Sequence, residues 1–153
     1  MTTDNPLRSW DRFPDFPAIR TAHIAPAVDA HLAWAEAELS ALEAAAPSTF
    51  ADLIRPLERI VDAHARLKHL LRHLLQVLDP PGWKEAYEAA QPRLIAFSTR
   101  LNQSPALYAA MKAVTPASET ERRILDANIL SAELSGVGLP EAERAAYQEA
   151  AQE

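Results

Sequence analysis

The stretch from residue 49 to residue 79 constrains the fold more than any other part of the chain. Its apolar side chains recur at alternating steps of four and three residues, which is the period of one face of an α-helix. The members of this stripe, with one histidine among them, are Leu53, Leu57, Ile60, His64, Leu67, Leu71, Leu74 and Leu78. Thr49 followed by Asp52 is a helix start signal, because a hydroxyl can cap a free N–H and a carboxylate favours the positive helix end. The sequence therefore predicts one long amphipathic helix.

Towards its C-terminal end this helix becomes apolar on more than one side. Leu70, Leu75 and Val77 lie outside the main stripe and widen it. A helix with such a wide apolar surface needs more than one neighbour to cover it. We therefore expect this helix to be the central helix of a bundle.

The rest of the chain divides into an arm and further helices. Residues 1–22 combine prolines with large apolar groups, so we predict an extended arm whose aromatic side chains dock on a helical domain formed by residues 23–153. No segment alternates apolar and polar residues as a half-buried strand does. The other helices are predicted from Ile24 or Pro26 to Pro47, from Trp83 to Leu101, from Pro105, from Ser118 to Gly136, and from Pro140. The predicted fold is all-α, a bundle of about six helices with an extended N-terminal arm.

Composition excludes several classes of function. The 153 residues are 48% apolar and 24% charged, as in a soluble domain, and the net charge of −6 lacks the basic footprint of a nucleic-acid binder. No cysteine is available for thiol chemistry, and three glycines cannot build a phosphate loop. No run approaches the roughly 20 apolar residues of a membrane span, and no signal-peptide pattern opens the chain. We therefore predict a cytoplasmic protein without a nucleic-acid or membrane partner.

The histidines are the natural candidates for a metal site. His69 and His73 are spaced i, i+4, so both rings can point from one helix face. The metallopeptidase signature also needs a glutamate directly after the first histidine, and Leu70 stands there instead. No helix offers a third ligand at matched spacing. We therefore predict no metal ligand in this chain, and a site at His69 and His73 is the weaker alternative to two solvated histidines.

Nothing in the sequence predicts a catalytic or cofactor-binding residue. Carboxylates such as Glu36, Glu38 and Glu43 fall at positions typical of a solvated helix face. Serines such as Ser98 have no base partner visible in the sequence, which nucleophilic catalysis would need. His64 lies on the apolar stripe, where a hydrogen-bonded core histidine is the expected role.

Six short stretches share their order and spacing with a known family. They are Asn5-Pro6-Leu7, His23 to Val28, His73-Leu74, Glu85 to Glu88 with Pro92, Gln103 to Tyr108, and Glu133-Leu134-Ser135-Gly136-Val137-Gly138-Leu139-Pro140. The last of these is the most specific. Along nearly the whole chain, the set resembles the N-terminal region of zinc oligopeptidases of the oligopeptidase A and thimet oligopeptidase type.

The resemblance implies an all-helical part of an enzyme that cleaves short peptides in a deep channel between two domains. In that family the zinc and its His-Glu-x-x-His helix lie in a C-terminal catalytic part, so the zinc cofactor would belong to a domain that this chain lacks. The matched part is a non-catalytic channel wall. Around the histidine-leucine pair the family usually has a serine before and an asparagine after, where this chain has Arg72 and Leu75. The leucines around His73 make this region more apolar than in the family, which argues against a channel-lining role for His73.

Three functions compete at this point. The first is the channel-wall domain of such a peptidase, truncated before its catalytic domain, because the family's helix opened by Pro140 continues past the equivalent of Glu153. The second is a free-standing helical interaction module, because an isolated wall domain should expose apolar surface and associate with a partner or with itself. For the chain as a whole we expect as partners short peptides, a missing catalytic domain or another protein, with self-association as an alternative. The third is a small metal-binding bundle that uses His69 and His73.

Overall fold

The structure is a computed structural model that describes residues 5–8, 13–78, 80–140, 143 and 147. These residues form four long α-helices and one short one, preceded by three 3-10 turns. The α-helices are α1 (Ile24–Ala45), α2 (Phe50–Val77), α3 (Trp83–Asn102), α4 (Pro105–Ala113) and α5 (Glu119–Leu134). No strand occurs within these ranges, and the predicted all-α class is confirmed. The predicted count of about six helices is too high for this part of the chain, and the helix expected from Pro140 lies largely outside the described residues.

Helix α2 has the start and the buried face that the sequence predicts. The Thr49 hydroxyl oxygen accepts a hydrogen bond from the backbone N–H of Asp52 at 3.2 Å. The buried side chains of α2 repeat at the helical period and are Leu53, Ile54, Leu57, Ile60, His64, Leu67, Leu71 and Leu74. Leu78, the predicted end of the stripe, is 61% exposed and follows the last helical residue. Neither α2 nor any other described helix has the length and apolarity needed to cross a membrane.

Helix α1, rather than α2, occupies the centre of the bundle. It packs against α2, α3 and α4 and against the arm, whereas α2 packs chiefly against α1 and α3. The predicted central position of α2 is therefore wrong. The reason is the size of the side chains, because α1 buries Ala27, Val28 and Ala35, and small side chains allow neighbouring elements to approach from several directions.

The buried apolar side chains form two clusters at opposite ends of the α1–α2–α3 bundle. The arm-end cluster joins Leu7 of the arm to Leu71 of α2 and Trp83 of α3. The indole N–H of Trp83 donates to the Leu71 carbonyl oxygen at 3.0 Å, which satisfies its buried donor. The opposite cluster, the α4–α5-end cluster, includes Leu39 of α1 and Leu125 of α5. Between the two clusters the three helices place polar side chains.

Aliphatic side chains fasten the arm to the bundle. Leu7 and Ile19 are buried, whereas Phe13 is 90% exposed and Phe16 is 41% exposed. The prediction that the aromatic side chains dock is therefore wrong for both phenylalanines, and Trp10 lies outside the described residues. Among the described residues, the arm forms 3-10 turns instead of running extended. The division of the chain at residue 22 stays a prediction.

Helix α5 is the least covered of the helices. Leu125 and Ala132 are buried, but Leu130 is 54% exposed and Leu134 is 73% exposed. Only part of the predicted apolar face is therefore covered within the described residues. The reason is that α5 packs mainly against α4 and meets no second long helix over an extended contact in this part of the chain.

Candidate functional site

A cleft of about 340 Å³ lies between α1 and α2, next to the arm. Helix α1 lines it with Ala27, Ala30, His31 and Trp34, whose spacing places them on one helix face. Ala63 of α2 lines the opposite side. Because alanine side chains are too short to fill the space between two packed helices, a cavity remains there. Among the described residues, the aromatic groups on its wall are the His31 imidazole and the Trp34 indole, with ring centroids 5.8 Å apart.

The rim of the cleft is positively charged. Among the described residues, Arg8 of the arm and Arg59 and Arg66 of α2 line it together with one carboxylate, that of Asp62. The sign is opposite to that of the chain as a whole, whose net charge is −6. Arg59 pairs with Glu38 and Arg66 pairs with Asp62 at 2.9 Å, whereas Arg8 forms no salt bridge with a described residue. The cleft is therefore suited to an anionic ligand rather than a cationic one.

A chain of hydrogen bonds between the two apolar clusters joins α1, α2 and α3. His31 and His64 are both buried, and His31 Nε2 lies 3.1 Å from His64 Nδ1. His64 Nε2 lies 2.9 Å from Ser98 Oγ, and the Ser98 hydroxyl donates to the Leu94 carbonyl oxygen at 3.1 Å. Because Ser98 gives its proton to Leu94, its oxygen accepts from the His64 N–H. His64 Nδ1 then accepts from His31, and Nδ1 of His31 keeps its lone pair.

Both buried histidines are neutral at pH 7. Burial, together with the smaller effects of His31 and Lys68, lowers the pKa of His64 to about 4. Burial also lowers the pKa of His31. The expectation that His64 is a hydrogen-bonded core histidine is confirmed. The pair holds three helices together through neutral hydrogen bonds.

The contact between Ser98 and His64 is not a nucleophile–base pair. A general base must turn its lone pair towards the hydroxyl whose proton it removes, whereas His64 presents an N–H to Ser98. A histidine with a pKa of about 4 is also a weak base at neutral pH. No partner of Ser98 is visible in the sequence, because Ser98 and His64 come from different helices. That no residue of the chain is catalytic stays a prediction.

Glu43 lies in a different environment from the one that the sequence predicts. Arg100 of α3 donates to both carboxylate oxygens, at 2.7 and 2.6 Å, and the Ser104 hydroxyl donates to one of them. The Glu43 side chain is 18% exposed, so its predicted position on a solvated face is wrong. The hydrogen bonds from Arg100 hold the pKa of Glu43 below its ordinary value. This ion pair ties the end of α1 to the end of α3 and the start of α4.

The candidate metal ligands His69 and His73 lie on the exposed side of α2. The described residues contain no group of three or more histidines, cysteines or carboxylates that could hold a metal ion. Two histidines without a further ligand do not make the four-coordinate site that zinc takes in proteins. The structure therefore brings no third ligand to this pair, and the metal site stays an untested alternative.

The first two family-like stretches of the sequence meet in the structure. Asn5 donates from its side-chain amide to the His23 carbonyl oxygen at 2.9 Å and accepts from the backbone N–H of Leu7 at 3.0 Å. Leu7 and Ile24 are fully buried beside this contact. The asparagine thus connects the arm to the residue before α1, which is a structural role.

The later family-like stretches also meet each other. The Gln103 side-chain amide donates to the Ser135 carbonyl oxygen at 2.7 Å, and the Tyr108 hydroxyl donates to the Glu133 carboxylate at 2.7 Å. Gln103 is buried, and a buried amide without a hydrogen-bond partner would destabilise the fold, so this contact stabilises it. The segment between α3 and α4 is therefore attached to the end of α5.

Gly136 ends α5 in the left-handed conformation that favours glycine, with φ of 84°. The backbone N–H of Val137 donates to the Ala132 carbonyl at 3.1 Å and that of Gly136 to the Glu133 carbonyl at 3.0 Å. These two bonds form a Schellman motif, and the predicted C-terminal stop at Gly136 is confirmed. A Cβ at this position would lie 2.7 Å from the Leu139 side chain.

Sequence reasoning missed the cleft and the partner of His64. His31 stands one position away from the predicted apolar face of α1, and no local pattern reveals a hydrogen bond to a residue 33 positions away. A signal was present in the alanines at 27, 30 and 63, since small residues at helical spacing in two neighbouring helices can leave a gap.

Comparison with known proteins places these features in a family. Residues 28–144 match the family model of the N-terminal domain of neurolysin and thimet oligopeptidase. The chain is 34% identical over 157 aligned positions to the probable cytosolic oligopeptidase A of Arabidopsis thaliana, covering 99% of the chain and 22% of that protein. It is 32% identical over 154 positions to oligopeptidase A of Salmonella typhimurium, covering 96% of the chain and 23% of that protein.

The matched region contains all of helices α2 to α5 and most of α1. The chain spans less than a quarter of the length of the relatives that it matches. The resemblance in the sequence is therefore confirmed by a family model that covers most of the chain. The chain belongs to the family of neurolysin and thimet oligopeptidase N-terminal domains.

Proposed function

We propose that the chain is the non-catalytic, channel-wall domain of an oligopeptidase A-like zinc metallopeptidase that degrades short peptides. The observation that carries this proposal is the match of residues 28–144 to the N-terminal domain of that family. The polar contacts of the chain support it, because the His31–His64–Ser98 chain and the Glu43–Arg100 pair connect helices to one another. A cytoplasmic location belongs to the same proposal and agrees with the name of the Arabidopsis relative, a probable cytosolic oligopeptidase A.

The zinc of the proposed enzyme would be held by a catalytic domain and not by this chain. His69 and His73 do not fit the ion, since no third ligand accompanies them among the described residues. A bound zinc ion activates water and polarises the peptide carbonyl in such enzymes. The residues of this chain would instead form a rigid wall of the channel.

A wall that selects short peptides must resist deformation. Two apolar clusters at the ends of the bundle, with hydrogen bonds between them, make α1, α2 and α3 one packed unit. Packed interiors have low compressibility, so such a unit does not open to admit a folded protein. Short, unstructured peptides would pass because they need no widening of the channel.

A chimera tests this proposal. In oligopeptidase A of Salmonella typhimurium, the segment aligned with this chain is replaced by residues 1–153, and hydrolysis of a short fluorogenic peptide is measured. We expect the chimera to hydrolyse the peptide. With the isolated chain, we expect the hydrolysis rate to equal the background rate measured in buffer without protein. A folded but inactive chimera, or hydrolysis by the isolated chain, contradicts the proposal. The matched control is the chimera with His69→Ala and His73→Ala, which should retain full activity and zinc content.

A second function, the free-standing interaction module, is favoured by one observation. Val77 and Leu78 at the end of α2 are 57% and 61% exposed, and Leu134 at the end of α5 is 73% exposed. Exposed apolar groups of this size favour association with a partner or a second copy. Light scattering at high concentration checks this function, since a stable monomer counts against self-association. A Leu78→Glu variant should shift any observed dimer towards the monomer.

A further inference from the structure

The cleft between α1 and α2 has the size and lining of a small-molecule site. Its volume of about 340 Å³ falls within the range of roughly 300–1,000 Å³ that is common for ligand pockets. Ala30, Ala63 and Leu67 supply an apolar wall, and the Trp34 indole adds a flat aromatic surface. An apolar side chain of four or five carbon atoms would fit in this space and remove part of the wall from water.

The rim supplies donors for a carboxylate. Arg8 and Arg59 stand on the arm and on α2, so an anion in the cleft would meet guanidinium groups from two elements. The pair with Glu38 uses one nitrogen of Arg59, and the other donors of its planar group remain for a ligand. Arg8 forms no salt bridge with any described residue. Guanidinium groups bind carboxylates through paired hydrogen bonds, which is the geometry that such a ligand would use.

His31 supplies the third element of recognition. It is 8% exposed, and its ring lines the cleft. Its Nε2 is taken by His64, and no donor for Nδ1 is found among the described residues. The neutral ring therefore keeps an acceptor nitrogen that is free to accept a hydrogen bond from an N–H group of a ligand in the cleft.

We propose that this cleft binds an N-acylated amino acid with an apolar side chain, the chemistry found at the C-terminus of a peptide. The carboxylate lies between Arg8 and Arg59, the amide N–H donates to His31 Nδ1, and the side chain packs against Trp34 and Ala63. A free amine in place of the acylated N–H brings a positive charge next to the arginines, so the acylated form is preferred. The inference does not depend on the channel-wall role, because binding is a property of this chain alone.

Titration of the isotope-labelled chain with N-acetyl-leucine, followed by two-dimensional NMR, tests the proposal. We expect saturable shifts of the α1 and α2 residues that line the cleft, with a dissociation constant on the order of millimolar for so small a ligand. N-acetyl-leucinamide lacks the carboxylate and N-acetyl-N-methyl-leucine lacks the N–H, and each should bind at least tenfold more weakly. An acetylated tetrapeptide ending in leucine distinguishes the two possible sources of this ligand. If the peptide binds more tightly, the site recognises the C-terminus of a peptide. If N-acetyl-leucine binds more tightly, the site recognises free N-acyl amino acids.

Variants locate the binding in the cleft. Arg59→Gln removes a charge from the rim and should weaken binding about tenfold, whereas Arg122→Gln on α5, equally exposed and also ion-paired, should leave it unchanged. Ala63→Leu fills the cavity and should abolish the shifts. If Ala63→Leu does not fold, the Arg59→Gln variant and the amide ligand still decide the question. The absence of saturable shifts, equal binding of the amide, or equal effects of the two arginine variants overturns the proposal.

Discussion

At the scale of single residues, the sequence predicts the burial of His64 but not the partners of the buried polar groups. His64 was predicted as a core histidine because it lies on the leucine stripe of α2, and the structure confirms it. Its partners His31 and Ser98 come from other helices, and Glu43 finds Arg100 across 57 positions of the chain. Periodicity reports which face of a helix is buried, but it carries no information about which distant residue meets that face.

The His64 pair makes stability depend on pH. The pKa of His64 is 6.5 in the unfolded chain and about 4 in the folded protein. Between these two pH values the unfolded chain therefore binds a proton at His64 that the native state does not bind. Stability is therefore lost as the pH falls from 6.5 towards 4, by up to roughly 3 kcal/mol from this group. The His64→Gln variant should lose less stability over this window, because glutamine does not titrate and can still bond to His31 and Ser98.

Urea denaturation at several pH values measures the effect. The control is His73→Gln, which makes the same substitution on the exposed side of the same helix. Glu43 also loses its stabilising charge in acid, because its pKa is held low, but it contributes equally to all three proteins. An identical pH slope for His64→Gln and the natural chain would contradict the assigned role of the pair.

At the scale of helices, the sequence predicts where helices begin and end better than it predicts which helices pack against each other. The side-chain oxygens of Thr49, Ser104 and Ser118 each accept a hydrogen bond from the backbone N–H three residues later. Such caps are local, so a short motif is enough to identify them. The central place of α1 and the exposure of Leu134 depend on which helices pack together, and a single-helix pattern does not contain that information.

The end of α5 offers a test at this scale. Gly136→Ala should destabilise the protein by about 1–2 kcal/mol, because its φ is 84° and the added Cβ would approach the Leu139 side chain at 2.7 Å. Gly138→Ala is the matched control, since a Cβ there meets no atom of the described residues within 4 Å. Its effect should stay within about 0.5 kcal/mol. Thermal denaturation followed by circular dichroism distinguishes the two, and equal destabilisation would contradict the role given to Gly136.

At the scale of the whole molecule, the all-α class and the family were both predicted and confirmed. The leucine stripe, the abundant alanine and the missing strand patterns determined the class, and the stretch from Glu133 to Pro140 pointed to the family. The cleft was not predicted, because it exists only where alanines of α1 and α2 face each other beside the arm. The prediction that the aromatic side chains of the arm dock on the bundle is wrong for Phe13 and Phe16, which are exposed, whereas Leu7 and Ile19 are buried.

The central claim is that this chain forms a wall that restricts a peptidase to short peptides. It is tested most directly by the ratio of kcat/KM for a short peptide to that for a long unstructured polypeptide. The ratio is measured for oligopeptidase A of Salmonella typhimurium and for the same enzyme carrying this chain in place of its aligned segment. We expect the two ratios to agree within a few-fold. An active chimera that cleaves the long polypeptide as readily as the short peptide would contradict the claim.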